Sequence, residues 1–203
     1  IARTPNLLVV RKDSPFRNAE DFIAAARKDP DRYTHGSAGV GSIAHLGVEY
    51  LAFLTGIKLV HVPYKGSSQA MNDLLGGSVD MVMSTATFLT PYVNSGRVRV
   101  LGMTGTERLP TLPGVQTFEE QGIKGYNVGD WKAWGGPKGI PPDVVQYLNE
   151  ELNKVLKTRP IVERFNAEGT LIVGGSPQQM MDIINQDVAG WKKFVAMSKI
   201  KVE

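Results

Sequence analysis

Short β-rich runs alternate with helical patterns through the first half of this chain, and that alternation constrains its fold more than any other feature. Strands are expected near Leu7–Val10, Tyr33–Gly36, Leu59–Val62, Val79–Met83 and Val98–Thr104. Between the second and third, Ile43, Leu46, Tyr50, Leu51 and Leu54 recur at helical spacing, and Gly56 stands where a left-handed cap would close the helix. Helices are also expected after Asn18, Ser67 and Thr85, whose side-chain oxygens can accept from first-turn amides. The pattern predicts an α/β unit on a largely parallel sheet.

Near Thr104 the texture changes. Pro110, Pro113, Gly122, Gly125, Gly135, Gly136, Pro137, Pro141 and Pro142 punctuate a stretch of loops that reads as a crossover between lobes. Three helices are expected after it, over roughly Pro142–Lys157, Pro160–Glu168 and Pro177–Met197, each opening at or near a proline. Their apolar stripes include Val144, Leu148, Leu152 and Val155, then Met180, Ile183, Ile184, Trp191 and Val195, with little sheet left in this half to receive them. The expected consequence is either self-association through these helices or uptake of the missing strands when they are supplied in trans.

Composition excludes several classes. No stretch approaches the ~18 apolar residues of a membrane span. The net charge is only +3 and the basic residues are scattered, so nucleic acid is not an expected partner. Cysteine is absent, which removes disulfide and thiolate chemistry. A strand begins almost at once with no signal peptide before it, so the chain reads as starting inside a longer protein.

The most informative stretch is His35-Gly36-Ser37-Ala38-Gly39-Val40-Gly41-Ser42, which joins a strand to a helix. Gly39 and Gly41 let backbone approach a ligand, the free amides at the helix start favour an anion, and Ser37 and Ser42 add hydroxyls. An ordinary Gly-rich connector capped by Ser42 explains that segment equally well. Two further loops, Tyr64-Lys65-Gly66-Ser67-Ser68 and Ser84-Thr85-Ala86-Thr87, also lie between a strand end and a helix start. In a parallel sheet all three helix starts face one crevice, where open α/β folds bind ligands. The candidate binding residues are therefore Ser37, Ala38, Gly39, Gly41, Ser42, Tyr64, Lys65, Ser84 and Thr85, with Lys65 equally readable as a solvated loop lysine and His45 as a partly buried residue hydrogen-bonding near the pocket. Trp131 and Trp134 either wall a pocket or pack between lobes. No phosphate-binding Walker loop, GxGxxG or metal-spaced histidine pair is present. A hydrolase would need Ser42 and His45 as nucleophile and base with Asp130 or Asp80 as the orienting acid, without the GxSxG elbow.

These residues resemble the Bug family, the extracytoplasmic solute-binding receptors of tripartite tricarboxylate transporters, from about Thr4 to Glu203. The resemblance rests on Ser37-Ala38-Gly39-Val40-Gly41-Ser42 followed by His45-Leu46, on Val62-Pro63-Tyr64-Lys65-Gly66, and on Asp73-Leu74-Leu75-Gly76-Gly77. Leu112-Pro113-Gly114-Val115 with Glu120 and Gly122, Pro141, and Gly174-Gly175-Ser176-Pro177 extend it. It implies an α/β, periplasmic-binding-protein-like (type II) two-lobed fold with one lobe complete and the other partial. Residues 4–104 would be the second lobe with its ligand loops, and residues 105–203 the crossover and the C-terminal helical part of the first lobe. It further implies a periplasmic location, capture of a small carboxylate without cofactor or metal, and docking on membrane permease subunits. Ser37, Gly39, Gly41, Ser42 and His45 fall in the family's ligand loop, with Tyr64, Lys65 and Ser84 on neighbouring loops. The sequence departs from the family in lacking the N-terminal part of the first lobe, and Gln116 stands where a proline is usual. A regulator's effector domain shares this fold and is the rival to the receptor reading.

Overall fold

The computed structural model describes residues 1–198 and 200. The elements in chain order are β1 (Ala2–Arg11), α1 (Ala19–Lys28), β2 (Thr34–Ser37), α2 (Ile43–Thr55), β3 (Val60–Pro63), α3 (Ser67–Gly76), β4 (Met81–Thr85), α4 (Ala86–Asn94) and β5 (Val98–Met103). They are followed by β6 (Gly129–Lys132), α5 (Pro142–Val155), α6 (Arg159–Ala167), β7 (Leu171–Ile172) and α7 (Pro177–Ser198).

The strands pair in the order β3-β2-β4-β1-β5. β2 is parallel to β3 and to β4, as the alternating pattern requires. β1 departs from that pattern: it lies centrally and runs antiparallel to both β4 and β5. The crossover through α4 leaves one strand width between β4 and β5, and the incoming chain fills it. Because β1 is covered on both faces, Leu7–Val10 is apolar without alternation. Leu8 and Val10 face Phe22, Val48, Leu51 and Met83, while Leu7 and Val9 face Met71, Leu74, Val82 and Leu89.

The caps follow the local chemistry in most places. Asn18, Ser42 and Thr85 accept from the third residue after them, and Gly56 closes α2 at φ 66°. Ser67 is the exception: Gly66 occupies the cap position without a side-chain bond, and Ser67 is already helical. Gly47 lets α2 settle on the sheet, since a Cβ there would lie 2.8 Å from Met83 Sδ.

β1 is longer at its start than its apolar run indicates. Its first residues pair with β6 (Ala2 with Lys132 through Pro5 with Gly129) and with β7 (Ala2 with Ile172, Arg3 with Leu171). One strand thus crosses from the five-stranded body into the C-terminal region, which holds more sheet than its composition indicates. Part of the α7 stripe also finds a receiver, because Trp191 and Phe194 pack on Tyr50 and Phe53 of α2. α5 and α6 bury no residue fully, and Leu148 is 48% exposed.

Candidate functional site

Three parallel strands end on one rim, and each end leads into a helix start. The loop after β2 is shaped by Gly39 at φ 126° and Gly41 at φ 76°, a region that side-chain-bearing residues rarely enter. The loop after β3 is tied to it by Tyr64 N–H donating to the Ser37 carbonyl at 3.0 Å. The end of β4 reaches the start of α3 through the Ser84 hydroxyl, 3.3 Å from that of Ser67. The expected convergence of the loops is therefore present in the strand order β3-β2-β4.

Individual residues are placed less uniformly. Ser42 caps α2, accepting from His45 N–H at 3.2 Å while its hydroxyl donates to the Gly39 carbonyl at 2.7 Å. The Gly41 amide donates to His45 Nδ1 at 3.1 Å and the Ser42 amide to the Gly39 carbonyl at 3.2 Å. Among the described residues, the unpartnered amides at this helix start are those of Ile43 and Ala44. Tyr64 commits its hydroxyl to Asp73 at 2.6 Å, and burial followed by that carboxylate pushes the phenol up to about 12. Lys65 is exposed and joins no ion pair among the described residues. Ser84 is buried, and Thr85 caps α4. Ala38 lies half-buried between the end of β2 and Gly39.

The geometry that a Ser/His hydrolase would use is not assembled. His45 presents Nδ1 to the Gly41 amide rather than to Ser42 Oγ, Asp80 binds Thr34, and Asp130 accepts from the Asn6 side chain at 3.1 Å.

Beneath the β2–α2 loop lies a feature that the sequence reading passed over. His35, His45 and His61 stack, with ring centroids 3.8 Å apart for His45 and His61 and 4.8 Å apart for His35 and His61. His35 and His61 are register partners on β2 and β3, and His45 comes down from α2. His61 Nε2 lies 2.7 Å from Ser37 Oγ, which also accepts from the Gly39 amide and donates to the Gly39 carbonyl. His35 Nε2 meets Glu49 at 3.1 Å, and its buried Nδ1 has no partner. Burial, then the neighbouring imidazoles, lower His61 to about 4. Burial likewise lowers His45. Burial pushes Glu49 up, but the His35 hydrogen bond and the surrounding imidazoles together hold it below the usual carboxylate range. The spacing of His45 and Glu49, one helical turn apart, was the available signal for part of this cluster. Among the described residues no group of three or more His, Cys, Asp or Glu side chains converges as a metal site.

Two grooves meet at Trp131. One of about 790 Å³ runs from Ile43, the first residue of α2, past Asp130 and Trp131 to α7. Trp131 lines both grooves and donates its indole N–H to Asp187 of α7 at 2.9 Å, while Trp134 lines the second and is 76% exposed. The second groove, about 730 Å³, lies between α5 and α7.

A mixed sheet with helix starts gathered on one rim, and one strand leading on into a second, helix-rich region, defines a periplasmic-binding-protein fold. Residues 1–200 match the tripartite tricarboxylate transporter family receptor, and the chain belongs to that family. It is 38% identical over 96% of its length to the UPF0065 protein in the tcbD-tcbE intergenic region of Pseudomonas sp. strain P51, spanning 58% of that relative. Among solved structures, Rpa4515 of R. palustris with adipate superposes with a TM-score of 0.88 at 33% identity, covering 98% of this chain and 67% of that one. The periplasmic binding protein BugD gives 0.83 at 31% identity over 98% and 68%. MatC of Rhodopseudomonas palustris with bound malate gives 0.79 at 26% over 96% and 67%. The chain spans a little over half of the curated relative and about two thirds of these structures.

Proposed function

We propose that this chain is the ligand-loop-bearing part of an extracytoplasmic solute-binding receptor that captures a small carboxylate in the periplasm and delivers it to membrane permease subunits of a tripartite tricarboxylate-type transporter. The observation that carries this reading is the rim itself, where three helix starts meet and the Ile43 and Ala44 amides have no protein partner. Aligned amides at a helix start hold partial positive charge and donate to an anion. Adipate with Rpa4515 and malate with MatC support a carboxylate as that anion. The residues that would build the site are Ser37, Ala38, Gly39, Gly41 and Ser42 at the β2–α2 junction, His45 beneath it on α2, and Tyr64, Lys65, Ser84 and Thr85 beside it. For Tyr64 and Thr85 the role is one of shaping the loops, since their hydroxyls are already engaged. This chemistry needs no cofactor and no turnover.

Titration calorimetry with a series of mono-, di- and tricarboxylates, and the matching amides as uncharged controls, tests the reading. Heat with one or more carboxylates and none with the amides is expected. Binding of the amides as tightly as the acids would remove the helix-start anion site from the argument.

A further inference from the structure

We propose that His45 and His61 are positioning residues for the β2–α2 loop, which keeps its ligand-ready form only while the His45 imidazole is neutral, so that anion affinity is coupled to pH. This rests on the carboxylate-binding reading above and adds a regulatory element to the same site.

The loop is held from below at two points. His45 Nδ1 accepts from the Gly41 amide at 3.1 Å, and an imidazole nitrogen accepts only while it carries a lone pair. His61 Nε2 contacts the Ser37 hydroxyl at 2.7 Å, the group that bonds both the amide and the carbonyl of Gly39. Both points lie just before Ser42, whose cap fixes the start of α2. Protonation of His45 turns its acceptor into a donor facing the Gly41 N–H, and the two groups must then part.

The surroundings set where this happens. His45 and His61 lie face to face at 3.8 Å, so a charge on one opposes a charge on the other. From β2, His35 stacks at 4.8 Å on His61 and 6.2 Å from His45; from α2, the Glu49 carboxylate stands beside them, and His35 holds it at 3.1 Å. The positive end of α2 adds to the cost of a proton here. Burial and the neighbouring imidazoles keep both rings neutral near pH 7, so the loop is supported there and loses support in acid.

The test uses the full chain with the Gly41 amide as reporter, followed by NMR and hydrogen exchange as pH falls from about 7 to about 4. In the wild type the Gly41 shift should follow the His45 titration and its exchange protection should fall at least tenfold. His45→Asn places an acceptor oxygen near the Nδ1 position without a titrating group, so protection should persist and the pH response disappear. His45→Leu should lose protection at every pH. His61→Gln, which keeps a donor near Nε2 for Ser37 Oγ, should leave the Gly41 response to His45 in place. With malate as probe, the ratio of wild-type to His45→Asn affinity, which cancels the ligand's own titration, should fall severalfold across the same range. A Gly41 amide that ignores the His45 titration, equal behaviour of His45→Asn and His45→Leu, or a ratio that rises in acid would each overturn the proposal. Failure of malate and adipate to bind the wild type at any pH would count against the carboxylate reading, while the Gly41 amide would still decide this one.

Discussion

Asn6 donates its side-chain amide to Asp130 at 3.1 Å, at the point where β1 leaves its pairing with β4 and takes up β6. Asn6 is fully buried, its backbone N–H is held by Thr104 Oγ1 at 2.8 Å, and its Oδ1 has no partner. The pair joins the two regions by a neutral donor and a carboxylate. Asn6→Asp keeps the shape and replaces the donor with a second carboxylate.

That variant is expected to be destabilised by about 2–4 kcal/mol near neutral pH, because a buried charge then faces Asp130 without compensation. The introduced carboxyl would have a raised folded-state pKa. Its folded form then binds more protons than the unfolded chain, so the lost stability should partly return as pH falls. Urea unfolding at two pH values checks this. Equal stability loss in acid and at neutral pH would show that the packing of Asn6 matters and its donor does not.

Much of the body was legible in the sequence because its elements are local: the β2 to β5 runs, the Asn18 and Ser42 caps and the Gly56 closure are each written in a few neighbouring residues. The direction of β1 was not, since nothing within Leu7–Val10 states which neighbours it will pair with. Its extension to Ala2, and the strands β6 and β7 that pair there, are two to four residues of mixed polarity whose partner is more than a hundred residues away. At the rim, the loops were legible from strand-to-helix junctions, but the occupancy of each amide was not. The Gly41 and Ser42 amides donate within the protein, which their place in the sequence does not state. The imidazole stack was hidden for the same reason, because it depends on the β2–β3 register.

Folding stability should fall as pH drops from about 6.5 toward about 4. His45 and His61 are lowered by burial, and His61 reaches about 4 from an ordinary 6.5. In that window the unfolded chain binds protons that the folded chain refuses, so stability rises with pH and is lost in acid. Glu49, held below its ordinary value, adds a further loss only at lower pH, as its carboxylate is protonated. The His61 contribution is at most roughly 3 kcal/mol, reduced by the solvent that reaches the half-buried ring. Melting temperature across this range, in wild type and His61→Gln, gives the measurement. A variant with the same slope as wild type would assign the acid sensitivity to other groups.

The exposed apolar side chains of α5 should bring two copies of the chain together. Tyr147 and Leu148 are 63% and 48% exposed, Val155 at the end of the same helix is 49% exposed, and the groove beside them is largely apolar. Each such side chain removed from water contributes ~1.5–3 kcal/mol, enough to favour self-contact at moderate concentration. Light scattering over a concentration series should show mass rising with concentration, and Leu148→Lys should suppress it. A monomer at every concentration, or association untouched by the lysine, would direct attention away from α5.

Ser42 offers a separation of helix capping from anion binding, because its hydroxyl serves the first in the free chain and stands beside the second. Ser42→Ala removes the acceptor for His45 N–H and the donor to the Gly39 carbonyl. Loss of an N-cap costs ~0.5–2 kcal/mol of stability, and the loosened loop should weaken dicarboxylate binding by roughly tenfold or more. Ser42→Asp caps the helix as well as serine does, so stability should stay within ~0.5 kcal/mol of wild type. Its carboxylate, however, occupies the positive end of α2 that the ligand would use, and like charges there should abolish binding. Thermal melts and calorimetry on both variants separate the two effects. If Ser42→Asp bound dicarboxylates as well as wild type, the anion would have to sit away from the start of α2, and the assignment of the β2–α2 loop as the ligand loop would fail.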